Sequence, residues 1–150
     1  MTYTVTPYNN TCAGSSFAIV VTVDPEPLYT GNLDATVCSD GATGVVLPGT
    51  DNDGGVITSY DVTAVVGGTL TGTATTAVGT ADVNLISGDS FNNVTNAADI
   101  VTYTVVPYFG SCAGSSFDIV VTVNPEPVYV GPIATTVCSD EAIGVTLPAA

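Results

Sequence analysis

The chain has 150 residues, a formal net charge of −14, and no lysine, arginine or histidine. That composition excludes phosphate neutralisation and hence nucleic-acid binding. It also excludes a polybasic contact with anionic lipid and any chemistry that needs a histidine or lysine as acid, base or activator of a nucleophile. A carboxylate pair of the glycosidase kind survives the exclusion, but no Asp/Glu pair stands out. With 45% hydrophobic residues the chain has enough apolar material for a core of ordinary domain size, and no apolar run approaches the ~20 residues of a membrane span.

Taken in chain order, the local pattern is β throughout. Residues 2–8, TYTVTPY, alternate threonine with tyrosine and valine, and 17–23, FAIVVTV, are apolar and β-branched. The same style returns in VITSYDVTAV (56–65), TADVNLI (80–86) and DIVTYTVVPY (99–108), each read as a strand. Between them GTDNDGG (49–55), VVGG (65–68), SGD (87–89) and FGSCAGSS (109–116) read as turns. No window carries an amphipathic helical stripe with caps. Period-two alternation puts Tyr103 and Val105 on the core face, with Thr102 and Thr104 outward.

Residues 1–50 laid over 101–150 without gaps match at 32 positions, including Cys12/Cys112, Pro25/Pro125, Pro27/Pro127 and Cys38/Cys138. A period of 100 is too long for a solenoid unit and is the size of a whole sandwich domain. Met1 stands where the repeat has Val101, inside a strand, so the chain reads as an excised piece of a longer protein. DPEP (24–27) and NPEP (124–127) each follow a strong strand; their prolines end pairing and stiffen the chain. The expected organisation is therefore 1–25 as the C-terminal strands of one repeat, 26–125 as a complete repeat, and 126–150 as the N-terminal strands of the next. The expected fold class is all-β: an antiparallel immunoglobulin-like sandwich of about seven strands, in a tandem array.

The four cysteines are spaced 26, 74 and 26 residues apart. An even count in a repeat suggests disulfides and an oxidising compartment. Two pairings respect the period: Cys38 with Cys112 inside the full repeat, with Cys12 and Cys138 bonded to partners in adjacent repeats or subunits; or Cys12 with Cys38 and Cys112 with Cys138 across each linker. The expected direction of the last strand favours the first. Asp51 and Asp53 lie two apart in a glycine-ended turn, the way calcium loops begin, although Asn, Asp and Gly also make a plain turn. NNT (9–11) and NVT (93–95) match the glycosylation sequon.

The stretch VTYTVVPYFGSCAGSSFDIVVTVNPEP (101–127), followed by TVCSD (136–140), resembles the PKD-like and immunoglobulin-like repeats of very large cell-surface proteins of Bacteroidetes. The resemblance covers 1–48 and 101–148 well and 61–98 only in style; the lack of Lys and Arg departs from the usual composition of such repeats. It implies an exported protein at the cell surface, serving as an adhesin, a gliding-motility filament or a surface fibre. The expected function is a structural, non-enzymatic repeat module of a stiff acidic filament, whose partners are adjacent repeats or identical subunits. The alternative is a carbohydrate- or surface-binding module acting through exposed loops.

Overall fold

The structure is a computed structural model that describes residues 1–127 and 134–146. Its strands are β1 (Thr2–Val5), β2 (Tyr8–Asn9), β3 (Cys12–Ala13), β4 (Phe17–Val20), β5 (Ala35–Cys38), β6 (Ser59–Val66), β7 (Leu70–Thr71), β8 (Ala77–Thr80), β9 (Asn92–Asn93), β10 (Asp99–Phe109), β11 (Cys112–Ala113) and β12 (Phe117–Asn124). No helix occurs among the described residues.

The principal sheet has the order β5-β12-β10-β6-β8, with β11 paired to the end of β10. β10 is its centre. Alternation along DIVTYTVVPYF sends Val101, Tyr103 and Val105 into the core at 0% exposure, while Thr102 and Thr104 lie half-buried on the other face. Ile119, Val121 and Val123 of β12, with Tyr60 and Val62 of β6, complete the inward face. A second layer covers it. The 42–47 segment bonds back to 83–90 through Thr43 N–H to Asp89 O, Gly44 N–H to Ser87 O and Leu47 N–H to Val83 O, and β7 pairs with β9. Val45, Leu47, Leu70, Ile86 and Phe91 come from this layer. The core and the hydrophobic residues packed against it all lie between Leu33 and Val123, so this sandwich has a self-contained core.

Two expectations about strands are corrected. The strand expected at 80–86 is Ala77–Thr80; beyond it the chain makes successive turns. Asp82 and Asn84 cause this. Asp82 N–H donates to Thr80 Oγ1 and Asn84 N–H to Asp82 Oδ1, so short polar side chains replace a ladder with local bonds. The sheet is also not wholly antiparallel, because β5 runs parallel to β12, with Ala35 opposite Val121 and Cys38 opposite Asn124. The opening strands expected in 126–150 fall partly outside the described residues, and 134–146 form no strand.

The parallel pairing sets the polarity of the unit. The chain arrives beside the turn that precedes β12, which we term the inlet pole, and leaves from the end of β12, the outlet pole. At the inlet, Tyr29 packs on Phe117 with ring centroids 4.9 Å apart, and Leu28 O accepts from Asn52 N–H at 3.0 Å. At the outlet, Asn124 O accepts from Ser39 N–H at 2.8 Å.

Candidate functional site

Carboxylates are the only charged side chains here, so their surroundings come first. Among the described residues eight of them accept hydrogen bonds from neutral donors in place of the missing cations: Asp34, Asp40, Asp51, Asp61, Asp82, Asp89, Asp99 and Asp118. Asp89 is the buried one. Its Oδ2 accepts from Tyr103 Oη at 2.6 Å and from Thr75 N–H at 2.8 Å, and its Oδ1 from Thr75 Oγ1 at 2.5 Å. Burial, then this hydrogen bond and the neighbouring charge, raise the Tyr103 phenol well above its ordinary value. Asp61 joins Tyr108 Oη and Gly79 N–H, and Asp99 is lowered by bonds from Thr69 and Ile100. These carboxylates are tied to the backbone and hydroxyls of their own fold. Among the described residues no three His, Cys, Asp or Glu side chains come together in a metal-holding group.

The acidic turn is held by its own side chains. Asp51 Oδ1 accepts from Asp53 N–H at 3.0 Å and Gly55 N–H at 2.7 Å, which folds the turn on itself. Asn52, between the two aspartates, holds the inlet linker: its amide donates to Thr30 Oγ1 at 2.5 Å and its Oδ1 accepts from Thr30 N–H at 3.3 Å. The linker is also pressed against Gly114, where a Cβ would overlap the Pro27 carbonyl. Neither Asn52 nor Gly114 carries a sequence motif; only the fold brings the linker onto them. Of the sequon asparagines, Asn93 is 1% exposed and donates to Val123 O and Ala97 O, clamping the outlet pole from inside, whereas Asn9 is exposed.

The structure does not bring the expected Cys38–Cys112 pair together. Cys38 and Cys112 sit at opposite poles of the sandwich. Cys38 lies opposite Asn124 at the outlet; Cys112 lies opposite Phe109 at the inlet. An antiparallel β5 would have ended beside the start of β12, close to Cys112. The parallel one ends at the far side, and the ten residues of β10 between the levels of the two cysteines span about 33 Å, far beyond the ~4.4–6.8 Å a disulfide requires.

The hairpin β1–β4 exposes its apolar side chains. Its register, Thr2 opposite Val20, Tyr3 opposite Ile19, Thr4 opposite Ala18 and Val5 opposite Phe17, is that of β10–β12 shifted by 100. The β2–β3 turn likewise copies the β10–β11 turn, with Gly14 N–H to Pro7 O matching Gly114 N–H to Pro107 O, both 2.8 Å. The difference is cover. Tyr103, Ile119 and Val123 are 0% exposed, while Tyr3, Ile19 and Val23 are 50%, 44% and 82% exposed. The same apolar face is thus sealed by a second layer in one copy and open in the other.

A mostly antiparallel two-layer sandwich, with chain ends at opposite poles and its charged groups engaged in holding the fold, defines a structural β-module. The sequence matches the PKD-like domain family over residues 1–27 and 35–127, and the chain belongs to that family. PKD-like domains are generally non-catalytic structural and adhesion modules that typically occur in extracellular proteins. No curated protein and no solved structure matches the chain.

Proposed function

We propose that this chain is a segment of a tandem array of PKD-like sandwiches forming the shaft of an extracellular fibre or cell-surface adhesin. The observation that carries this reading is the pair of hairpins. The 1–23 hairpin keeps the sequence, register and apolar face of 101–123, yet among the described residues that face is exposed. What covers Tyr103, Ile119 and Val121 is a layer built from residues 42–93 of its own unit, so a layer of that kind, from the preceding repeat, belongs over Tyr3, Ile19 and Val21. The hairpin closes one sandwich, the Pro-Glu-Pro linker leads out, and the next sandwich begins at its inlet pole. Inlet and outlet at opposite poles make successive units stack head to tail. At ~3.3 Å per residue an eleven-residue strand such as β10 gives a rise of roughly 30–45 Å per repeat, linker included.

Such a shaft is stiffened where the linker meets Asn52 and Gly114, and kept apart from its neighbours by a uniformly negative surface. Its assignment to surface fibres of the Bacteroidetes kind rests on the sequence resemblance and on family membership. Electron microscopy of the native particles tests the proposal: an axial period in the 30–45 Å range is the expected outcome, and globular particles without a period would overturn it. For the acidic turn the geometry supports a plain turn. Asp51→Ala should then lower stability by about 1 kcal/mol, equally with and without chelator. A melting temperature that falls on chelation in the unmodified chain alone would reinstate calcium at Asp51 and Asp53.

A further inference from the structure

The poles carry one cysteine each, and the tandem reading turns that into a bonding pattern. Cys38 is the ladder partner of Asn124, the last residue of β12. Its neighbour Val37 packs against the core, so alternation turns the Cys38 side chain outward, and it is exposed. At the other pole Cys112 stands two residues before Gly114, against which the incoming Pro27 is seated. Residue 127 is the same proline one period later. From Cys38 the route to the next unit's counterpart of Cys112 is therefore short. It crosses one strand spacing to Asn124, runs three residues to Pro127, makes one contact to the counterpart of Gly114, and goes back two residues. At ~3.3–3.6 Å per residue and ~4.8 Å per strand spacing the whole route is at most about 25 Å, folded at a proline-rich corner.

We propose that neighbouring repeats are stapled by a disulfide between Cys38 of one unit and the counterpart of Cys112 in the following unit. The proposal rests on the head-to-tail array. By the same rule Cys112 bonds the preceding unit's counterpart of Cys38, and none of the four cysteines in this chain is a partner of another. Formation removes two protons and two electrons from two thiols, and a disulfide-bearing oxidant, small-molecule or protein, accepts them. One thiolate attacks the oxidant's disulfide and expels a thiol; the second attacks the mixed disulfide and expels the other. The products are one inter-unit S–S bond and the oxidant's two sulfurs as thiols.

The test uses two copies of residues 26–125 joined directly, which restores Asn-Pro-Glu-Pro at the junction and keeps each self-contained core. Oxidised with glutathione disulfide, cleaved at acidic residues and mapped without reduction, the tandem should show one bond, from Cys38 of the first copy to Cys112 of the second, and two free thiols. Cys38→Ser in the first copy should abolish it; Cys38→Ser in the second should leave it intact. A bond within one copy, or glutathione adducts alone, would overturn the staple. Small-angle scattering of the reduced tandem separates the two readings. A rod of twice the unit length that forms no bond defeats the staple and leaves the array standing, whereas two units without a fixed relation defeat both.

Discussion

At the scale of single residues, a chain without cations solves its charge problem with backbone N–H groups and hydroxyls. Asp89 shows the stakes, because its carboxylate is buried and satisfied by three donors. Asp89→Ala strands Tyr103 Oη in the core and leaves the part-buried Thr75 N–H without its partner, and equilibrium denaturation should show a loss of about 2–4 kcal/mol. Tyr103→Phe, which removes one donor and leaves Asp89 bound to Thr75, should cost about 1–2 kcal/mol. The raised phenols of Tyr103 and Tyr60 also set an alkaline limit. Their folded-state values lie above the unfolded value of about 10, so the stabilisation is complete below that pH. It is lost as pH climbs past it, because the unfolded chain releases those protons first. Stability measured from pH 8 to 12 should fall from about pH 10, and the fall should be shallower in Tyr103→Phe. Little of this was legible in the sequence. SGD at 87–89 reads as a turn, and nothing local marks its aspartate as the partner of a tyrosine fourteen residues on.

At the scale of elements, the sequence was most informative where alternation is longest. Residues 99–108 read as a strand with Tyr103 and Val105 inward, and β10 is that strand with one residue added, while β12 is the repeat's copy of the apolar run 17–23. It was least informative where polar side chains compete with the ladder, as at Asp82 and Asn84. The direction of β5 was also hidden: periodicity reports which face a residue takes and says nothing of parallel or antiparallel pairing. That hidden direction is what sets Cys38 and Cys112 at opposite poles. The linker seat supplies an internal control, since Gly14 and Gly114 occupy copied turns in different company. Gly114→Ala drives a methyl group into the Pro27 carbonyl and should cost about 1–3 kcal/mol. Gly14→Ala meets only the Pro7 ring at 3.1 Å and its carbonyl at 3.4 Å and should cost a few tenths of that. Thermal melts of the two variants decide it; equal losses would mean that the linker contact contributes nothing.

At the scale of the whole molecule, the ends of the sandwich determine how it responds to being pulled. β5 and β12 are the first and last strands of the unit's principal sheet, lie side by side, and run the same way. A load applied between inlet and outlet draws them along each other's length. Their cross-strand bonds, together with the bond from Val120 N–H to Asp34 Oδ1 just ahead of β5, are then strained together in shear. A hairpin pulled from its open end gives way one rung at a time; strands in shear must yield all at once, which raises the barrier to forced unfolding and slows it. In single-molecule stretching, residues 26–125 should rupture at higher force when held by their natural ends than when gripped at Ser59 and Phe109, at the two ends of one antiparallel pair on the same pole. Asp34→Ala should lower the first force and leave the second alone. A filament assembled from such units would behave under tension as a rope whose splices tighten along the line of pull.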